Sequence, residues 1–248
     1  MSRHTNIRSI KLFCFPYAGG SGYSFQPFDK YWPKNWEVKT ITYPGRGHRF
    51  EEALLNNMDA LLEDAWKQIE KETPPYVFLG HSLGSTLAFL LAHKAKAVGK
   101  QPVHIFLSGT GAPSYSDRNE EDQNYLLPKS AFKSLLKSYG GISNEILEEA
   151  AAFNIFEPII RTDFQIVETW EYEDLPKLDI PATIITGTNE DLSDLEILHW
   201  KKEFCSNVRF IKMRGNHFYL FDAPEQFVNI IKGQLQNHDS QKVRMKIS

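Results

Sequence analysis

Tyr76-Val77-Phe78-Leu79-Gly80-His81-Ser82-Leu83-Gly84-Ser85-Thr86-Leu87-Ala88-Phe89-Leu90-Leu91-Ala92 is the stretch on which the reading turns. Its first four residues are an apolar, β-forming run. Gly80-His81-Ser82-Leu83-Gly84 follows at once, and the remainder carries strong helix formers. A G-x-S-x-G pattern alone arises by chance in roughly one chain of this length in fifteen, from average glycine and serine usage. A strand before it and a helix after it give the pattern physical meaning. A serine at a sharp strand-to-helix turn is held in a strained conformation that exposes its hydroxyl, and glycines flank it where a side chain would strike the strand or helix.

Outward from this elbow, apolar β-rich runs at 10–15, 38–43, 76–79, 103–108, 182–186 and 208–213 alternate with helical patterns at 24–31, 51–71, 83–97, 195–204 and 224–235. Such alternation predicts βαβ units and an α/β fold, with a mostly parallel sheet covered on both faces. Ligands then sit at the carboxyl ends of the strands. From 112 to 178 the rhythm breaks, with helical patterns at 129–138, 144–153 and 155–172 and the pair Gly140-Gly141 between two of them. The insertion starts just beyond a strand's carboxyl end, on the side expected to hold the site, and is read as a lid. The expected organisation is a core of 1–111 and 179–236, a helical lid of 112–178, and a flexible polar tail of 237–248.

The 248 residues suit one large domain with an inserted subdomain, and 42% hydrophobic residues supply a sizeable core. A formal charge of −3 leaves no basic footprint for nucleic acid and argues against anionic membranes. Cys14 and Cys205 make no disulfide framework, and no Cys/His cluster has zinc spacing, so no metal or cofactor is expected. Met1-Ser2-Arg3-His4-Thr5-Asn6 has no signal-peptide character and no run reaches membrane-spanning length, which suggests a soluble cytoplasmic protein. Nothing in the chain requires more than a monomer.

A serine hydroxyl needs a base within hydrogen-bond reach, and the base needs an orienting acid. In chains with this elbow the order is serine, acid, histidine. His4 and His48 precede Ser82, His81 lies inside the elbow, His93 and His199 lie within helical patterns, His104 starts a strand and His238 is in the tail. His217 remains, in the loop Arg214-Gly215-Asn216-His217-Phe218 after the last strand pattern, and is the expected base. The acid should lie in Gly187-Thr188-Asn189-Glu190-Asp191-Leu192-Ser193-Asp194. Asp191 is preferred on loop length, Glu190 stays open, and Asp194 reads as a helix N-cap. The oxyanion hole needs two backbone N–H donors. Leu83, just after the nucleophile, is one; the other should come from Phe15-Pro16-Tyr17-Ala18-Gly19-Gly20-Ser21-Gly22, where Ala18 is preferred and Gly19 is second. This loop lacks the Lys-Ser/Thr of a P-loop and the spacing of a dinucleotide fingerprint.

Phe15-Pro16-Tyr17-Ala18-Gly19-Gly20, Tyr43-Pro44-Gly45-Arg46-Gly47, the serine elbow, Leu127-Pro128 through Tyr139-Gly140-Gly141, Arg161-Thr162-Asp163-Phe164 and Gly215-Asn216-His217-Phe218 together resemble the type II thioesterases that accompany nonribosomal peptide and polyketide synthases. The resemblance implies an α/β-hydrolase core with a helical lid. It also implies hydrolysis of acyl thioesters from the phosphopantetheine arm of acyl or peptidyl carrier domains, with Ser82 as nucleophile, His217 as base and Leu83 and Ala18 as oxyanion donors. The acid loop departs from the family pattern by allowing two registers. Arg46 is read either as holding its own tight turn or as taking a catalytic part, and Arg161 and Asp163 are expected to form an ion pair on a solvated helix face. Phe153, Ile155 and Phe156 are candidate channel residues. Two alternatives are a chain-releasing fatty-acid thioesterase or carboxylesterase on the same core, and a non-enzymatic scaffold; the full serine, acid and histidine set argues against the scaffold.

Overall fold

The computed structural model describes residues 9–115 and 123–245, the last nine by backbone alone. The first eight residues of the expected core, residues 116–122 of the expected lid and residues 246–248 of the expected tail lie outside the described residues.

Six strands, β1 (Lys11–Phe15), β2 (Glu37–Thr40), β3 (Tyr76–His81), β4 (His104–Ser108), β5 (Ala182–Gly187) and β6 (Val208–Met213), form one sheet in the order β2-β1-β3-β4-β5-β6. Every neighbouring pair is parallel. β1, β3, β4 and β5 are apolar almost throughout because they are buried on both faces. Their side chains alternate between two cores. Phe13, Phe15, Tyr76 and Phe78 face one, and Leu12, Cys14, Val77 and Leu79 face the other.

The helices are α1 (Met58–Ile69), α2 (Leu83–Ala97), α3 (Lys129–Tyr139), α4 (Asn144–Glu148), α5 (Ala150–Thr169), α6 (Asp194–His199), α7 (Tyr219–Asp222) and α8 (Pro224–Met245). Leu61, Ala65, Leu87 and Leu91 of α1 and α2 pack into the first core, and Phe227, Val228 and Ile231 of α8 into the second. Among the described residues, no helix is long and apolar enough to cross a membrane.

Several helix bounds differ from the sequence expectation, each with a local cause. The pattern at 24–31 closes only one 3-10 turn, Gln26–Phe28, because buried Phe25 and Phe28 are tied to aromatic neighbours instead of to a helical register. α1 starts at Met58, where the Asn57 side chain accepts from Ala60 N at 2.9 Å. The break in the insertion falls at Glu149, whose carboxylate accepts from Ala151 N and Ala152 N and starts α5. Ser193, not Asp194, caps α6 in a capping box with Glu196. The backbone of α8 continues past Asn237 to Met245, where a tail was expected.

The chain leaves β1 toward β2 on one side and leaves β3 toward β4 on the other. The loops at the carboxyl ends of β1 and β3 therefore diverge, and the crevice between them is the topological switch point at which such sheets bind ligands. The loop after β1 and the serine elbow both open there.

Candidate active site

Ser82 has φ +54° and ψ −122° and, among the described residues, is the only non-glycine with positive φ. The conformation survives because the surroundings over-determine it. Ser82 N–H donates to Ser108 O at 2.8 Å, and the Ser82 carbonyl accepts from Ser85 N at 2.8 Å. The flanking glycines are steric requirements. A Cβ on Gly80 would stand 2.2 Å from Gly84 O, and one on Gly84 would stand 2.0 Å from Phe15 O. Leu83 begins α2, where the first N–H groups have no intrahelical acceptor and are available to an anion.

The loop after β1 closes a turn from Tyr17 to Gly20, with Gly20 N–H donating to Tyr17 O at 2.8 Å. Gly19 at its third position has φ +79°, the signature of a type II turn and the reason a glycine is needed there. Gly19 N–H is already engaged, donating to Asp163 Oδ2 at 2.7 Å. Of the two donors weighed for this loop, Gly19 N–H is thus turned to the insertion, and Ala18 lines the same cavity as Ser82.

That cavity holds about 550 Å3 and takes in Tyr17, Ala18, Ser82, Glu190, Asp191 and His217 from the core, and Leu135, Tyr139, Ile142, Ile160, Phe164 and Val167 from the helical insertion. The insertion lies directly on the histidine loop. The Tyr139 ring is 5.6 Å from the His217 ring, and a Cβ on Gly141 would stand 2.4 Å from the Phe218 ring. Of the three channel residues expected, none lines the cavity. Phe153 is buried in the insertion's own core with Phe132, Leu136 and Leu147, and Ile155 and Phe156 are exposed on its outer surface.

His217 follows β6 and is carried by a loop that runs beside the loop after β5. Thr188 N–H donates to Met213 O at 2.8 Å and Asn189 N–H to Gly215 O at 2.9 Å, so the β5–β6 pairing extends beyond the strands. Gly187, the last residue of β5, must be a glycine, since a Cβ there would stand 2.6 Å from Asn216 O. These contacts bring Glu190 Oε1 to 2.7 Å from His217 Nδ1. The other Glu190 oxygen accepts from Gly187 N–H at 2.5 Å, and its side chain is 2% exposed.

This corrects the expectation for Asp191. The turn after Gly187 folds the side chain of residue 190 back over the strand end and into contact with His217. Asp191, one residue later, is exposed at the cavity rim. The Glu190 contact places the Nδ1 proton of His217 on the acid side and leaves Nε2 as the ring's acceptor.

Two groups take contacts that the sequence did not give. His81 is wholly buried, with its ring 4.8 Å from that of His217 and its Nδ1 3.0 Å from Ser108 Oγ. Burial, with the charge of His217 behind it, pushes the His81 pKa well down, so His81 is a neutral wall to the site. Ser108 Oγ in turn meets Tyr219 OH at 2.5 Å, and Tyr219 OH donates to Ile185 O at 2.8 Å, which pins the start of α7 just after His217. The second group is Arg46 with Asp163. Asp163 is fully buried, not on a solvated face, and pairs with Arg46, whose Nη1 and Nη2 reach its two oxygens at 2.5 and 2.8 Å. Arg161 pairs with Glu157 instead. Spacing gave no signal for the Arg46–Asp163 pair, since the partners are 117 residues apart.

Comparisons with known proteins agree with this architecture. The model of a thioesterase domain matches residues 10–235. The gramicidin S biosynthesis protein GrsT of Aneurinibacillus migulanus is 30% identical over 94% of this chain and 93% of its own length. The medium-chain S-acyl fatty acid synthase thioesterase of Homo sapiens is also 30% identical, over 88% of this chain and 83% of its own. Among solved structures, ClbQ from the colibactin NRPS/PKS pathway superposes with a TM-score of 0.86 at 27% identity, covering 95% of this chain and 99% of that one. The type II thioesterase BorB from the borrelidin cluster gives 0.84 at 27% identity, covering 92% and 93%.

Proposed function

Because this chain belongs to the thioesterase domain family, we propose that Ser82, His217 and Glu190 form its catalytic triad and remove acyl groups from the phosphopantetheine arms of synthase carrier proteins. The observation that carries this reading is one cavity holding a strained, cavity-facing Ser82 together with a His217 whose far nitrogen is held by a buried carboxylate.

In this mechanism His217 Nε2 takes the Ser82 proton as Oγ attacks the thioester carbonyl. The Leu83 and Ala18 N–H groups hold the tetrahedral oxyanion. Collapse expels the pantetheine sulfur, which leaves as the thiol with the proton returned by His217, and an acyl-Ser82 ester remains. Water, deprotonated by His217, attacks the ester and releases a carboxylic acid. Glu190 keeps the Nδ1 proton in place and stabilises the imidazolium at each stage. The Leu135, Ile142, Ile160 and Phe164 side chains offer the acyl group an apolar wall. The chemistry draws on these side chains and backbone groups alone. The names of GrsT and ClbQ support a carrier-bound substrate within a peptide or polyketide pathway. We place the enzyme in the cytoplasm as a monomer that meets its carrier at the mouth of the cavity.

A second reading, release of fatty-acyl chains, is favoured by the equal identity to the human medium-chain enzyme. Acetyl-loaded and dodecanoyl-loaded carrier proteins, with acetyl on a simple oxygen ester, decide among the readings when the native chain and Ser82→Ala are compared. Editing predicts Ser82-dependent loss of acetyl from the carrier with little turnover of the oxygen ester. Chain release predicts preference for dodecanoyl, and a general esterase prefers the oxygen ester. Turnover that survives Ser82→Ala sinks the nucleophile assignment.

A further inference from the structure

The turn Tyr17–Gly20 is gripped from three directions. Tyr43 OH donates to Pro16 O at 2.9 Å, Arg46 Nη1 donates to Gly20 O at 3.3 Å, and Gly19 N–H donates to Asp163 Oδ2 at 2.7 Å. Only the last grip comes from the helical insertion, through α5. It falls on the central peptide of the turn, between Ala18 and Gly19. Type I and type II turns differ by a flip of that peptide, so the Asp163 carboxylate holds the turn in its type II form, while the Ala18 N–H belongs to the preceding peptide and is placed by where the whole turn sits.

Anchoring α5 to the core does not require an ion pair. Ile160 and Ile166 of the same helix are buried, and Ile160 lies where a Cβ on Gly19 would fall, 2.7 Å from its Cγ1. A buried Arg–Asp pair carries a desolvation cost that apolar packing of the same volume avoids. The pair does supply direction. Arg46 fixes both Asp163 oxygens, and one of them aims at a single backbone N–H beside the proposed oxyanion donor.

We propose that Asp163, held by Arg46, is a positioning residue: by anchoring the turn on which Ala18 stands, it makes the placement of Ala18 N–H in the oxyanion hole conditional on the seating of α5. The inference rests on the assignment of Ser82 and Ala18 above. It predicts a loss in the transition state and not in substrate binding.

Three variants test it: Asp163→Asn, the paired replacement Arg46→Met with Asp163→Leu, and glycolic acid in place of Gly19, which turns that N–H into an ester oxygen and leaves every side chain intact. Each is measured on an acyl-carrier thioester for kcat, KM and inhibition by an acyl trifluoromethyl ketone, beside a thermal melt. Loss of an oxyanion donor outright costs roughly 100- to 1,000-fold in kcat. Misaiming one is expected to cost about 10- to 100-fold here, with KM within about threefold and ketone affinity falling in parallel. The apolar pair is expected to recover the melting midpoint without recovering kcat. Recovery of kcat together with stability overturns the proposal, as does an unchanged kcat in the glycolate variant or a loss confined to KM. Ser82→Ala, run alongside, separates the two levels. Turnover lost in Ser82→Ala with the Asp163 and glycolate variants unaffected sinks the positioning role alone, whereas turnover retained in Ser82→Ala sinks the site beneath it.

Discussion

At the scale of single residues, the contact between Glu190 and His217 makes the sharpest claim, because two adjacent carboxylates compete for one role. The Glu190 side chain is buried and divides its oxygens between Gly187 N–H and His217 Nδ1. Asp191 stands exposed at the rim. Removing the charge of a triad acid while keeping its shape favours the wrong imidazole tautomer and lowers kcat by about 10,000-fold in a well-studied serine protease. Glu190→Gln is therefore expected to lower kcat by roughly 1,000- to 10,000-fold, and Asp191→Asn by less than about threefold. Steady-state kinetics on an acyl thioester check both, and the reverse ranking would return the acid to Asp191. Ser82 and His217 were legible in the sequence as candidates, because chain order and motif context single them out, and the structure brings both to one cavity. The acid was not, because the choice between 190 and 191 depends on where one side chain folds back onto the end of β5.

Elements were legible where periodicity and capping agree, and their ends blurred where a cap decides. β6 matches its expected bounds, and α2 follows the elbow directly. At the start of α6, both Ser193 and Asp194 are good capping types. Ser193 Oγ accepts from Glu196 N–H at 3.2 Å, and Glu196 Oε2 accepts from Ser193 N–H at 2.7 Å. Asp194 instead makes an exposed ion pair with Lys212. Loss of a serine N-cap costs about 1 kcal/mol, which for a chain of this size lowers the melting midpoint by roughly 2–4 °C. Ser193→Ala is expected to show that drop in calorimetry, and Asp194→Ala to leave the midpoint nearly unchanged, since exposed pairs contribute little. An equal drop in both would mean that Asp194 shares the cap. The same reasoning explains why the break in the insertion, expected at residue 154, falls at Glu149. No glycine or proline marks a boundary within 144–154, and the Glu149 carboxylate, turned onto Ala151 and Ala152 N–H, sets it.

At the scale of the whole molecule, the fold has closed its sheet and helices around imidazoles that stay neutral. The proposed mechanism needs this at one place, since a charged His81 beside His217 would oppose the imidazolium that mechanism forms during acyl transfer. Burial depresses His81 well below the ordinary histidine value, with the charge of His217 acting in the same direction. Burial also pushes His93 down to about 4, with Lys96 nearby adding to the effect. His93 sits in α2 with its ring edge-on to Phe89 at 4.7 Å. The unfolded chain protonates such groups near 6.5, whereas the folded chain resists until much lower pH. Between those limits the unfolded state binds more protons, so the stability these residues contribute is complete above pH 6.5 and is lost progressively as pH falls toward 4. The urea midpoint is therefore expected to hold steady from pH 8 to 7 and to decline from about pH 6.5 downward, before most exposed carboxylates begin to titrate near their ordinary values of about 4. His93→Leu, which keeps an apolar partner for Phe89 and removes one titrating ring, is expected to make that decline shallower. A midpoint flat to pH 4.5 in the native chain, or an identical slope in His93→Leu, would mean that the rings take up protons in the folded state and that the packing around α2 yields to them.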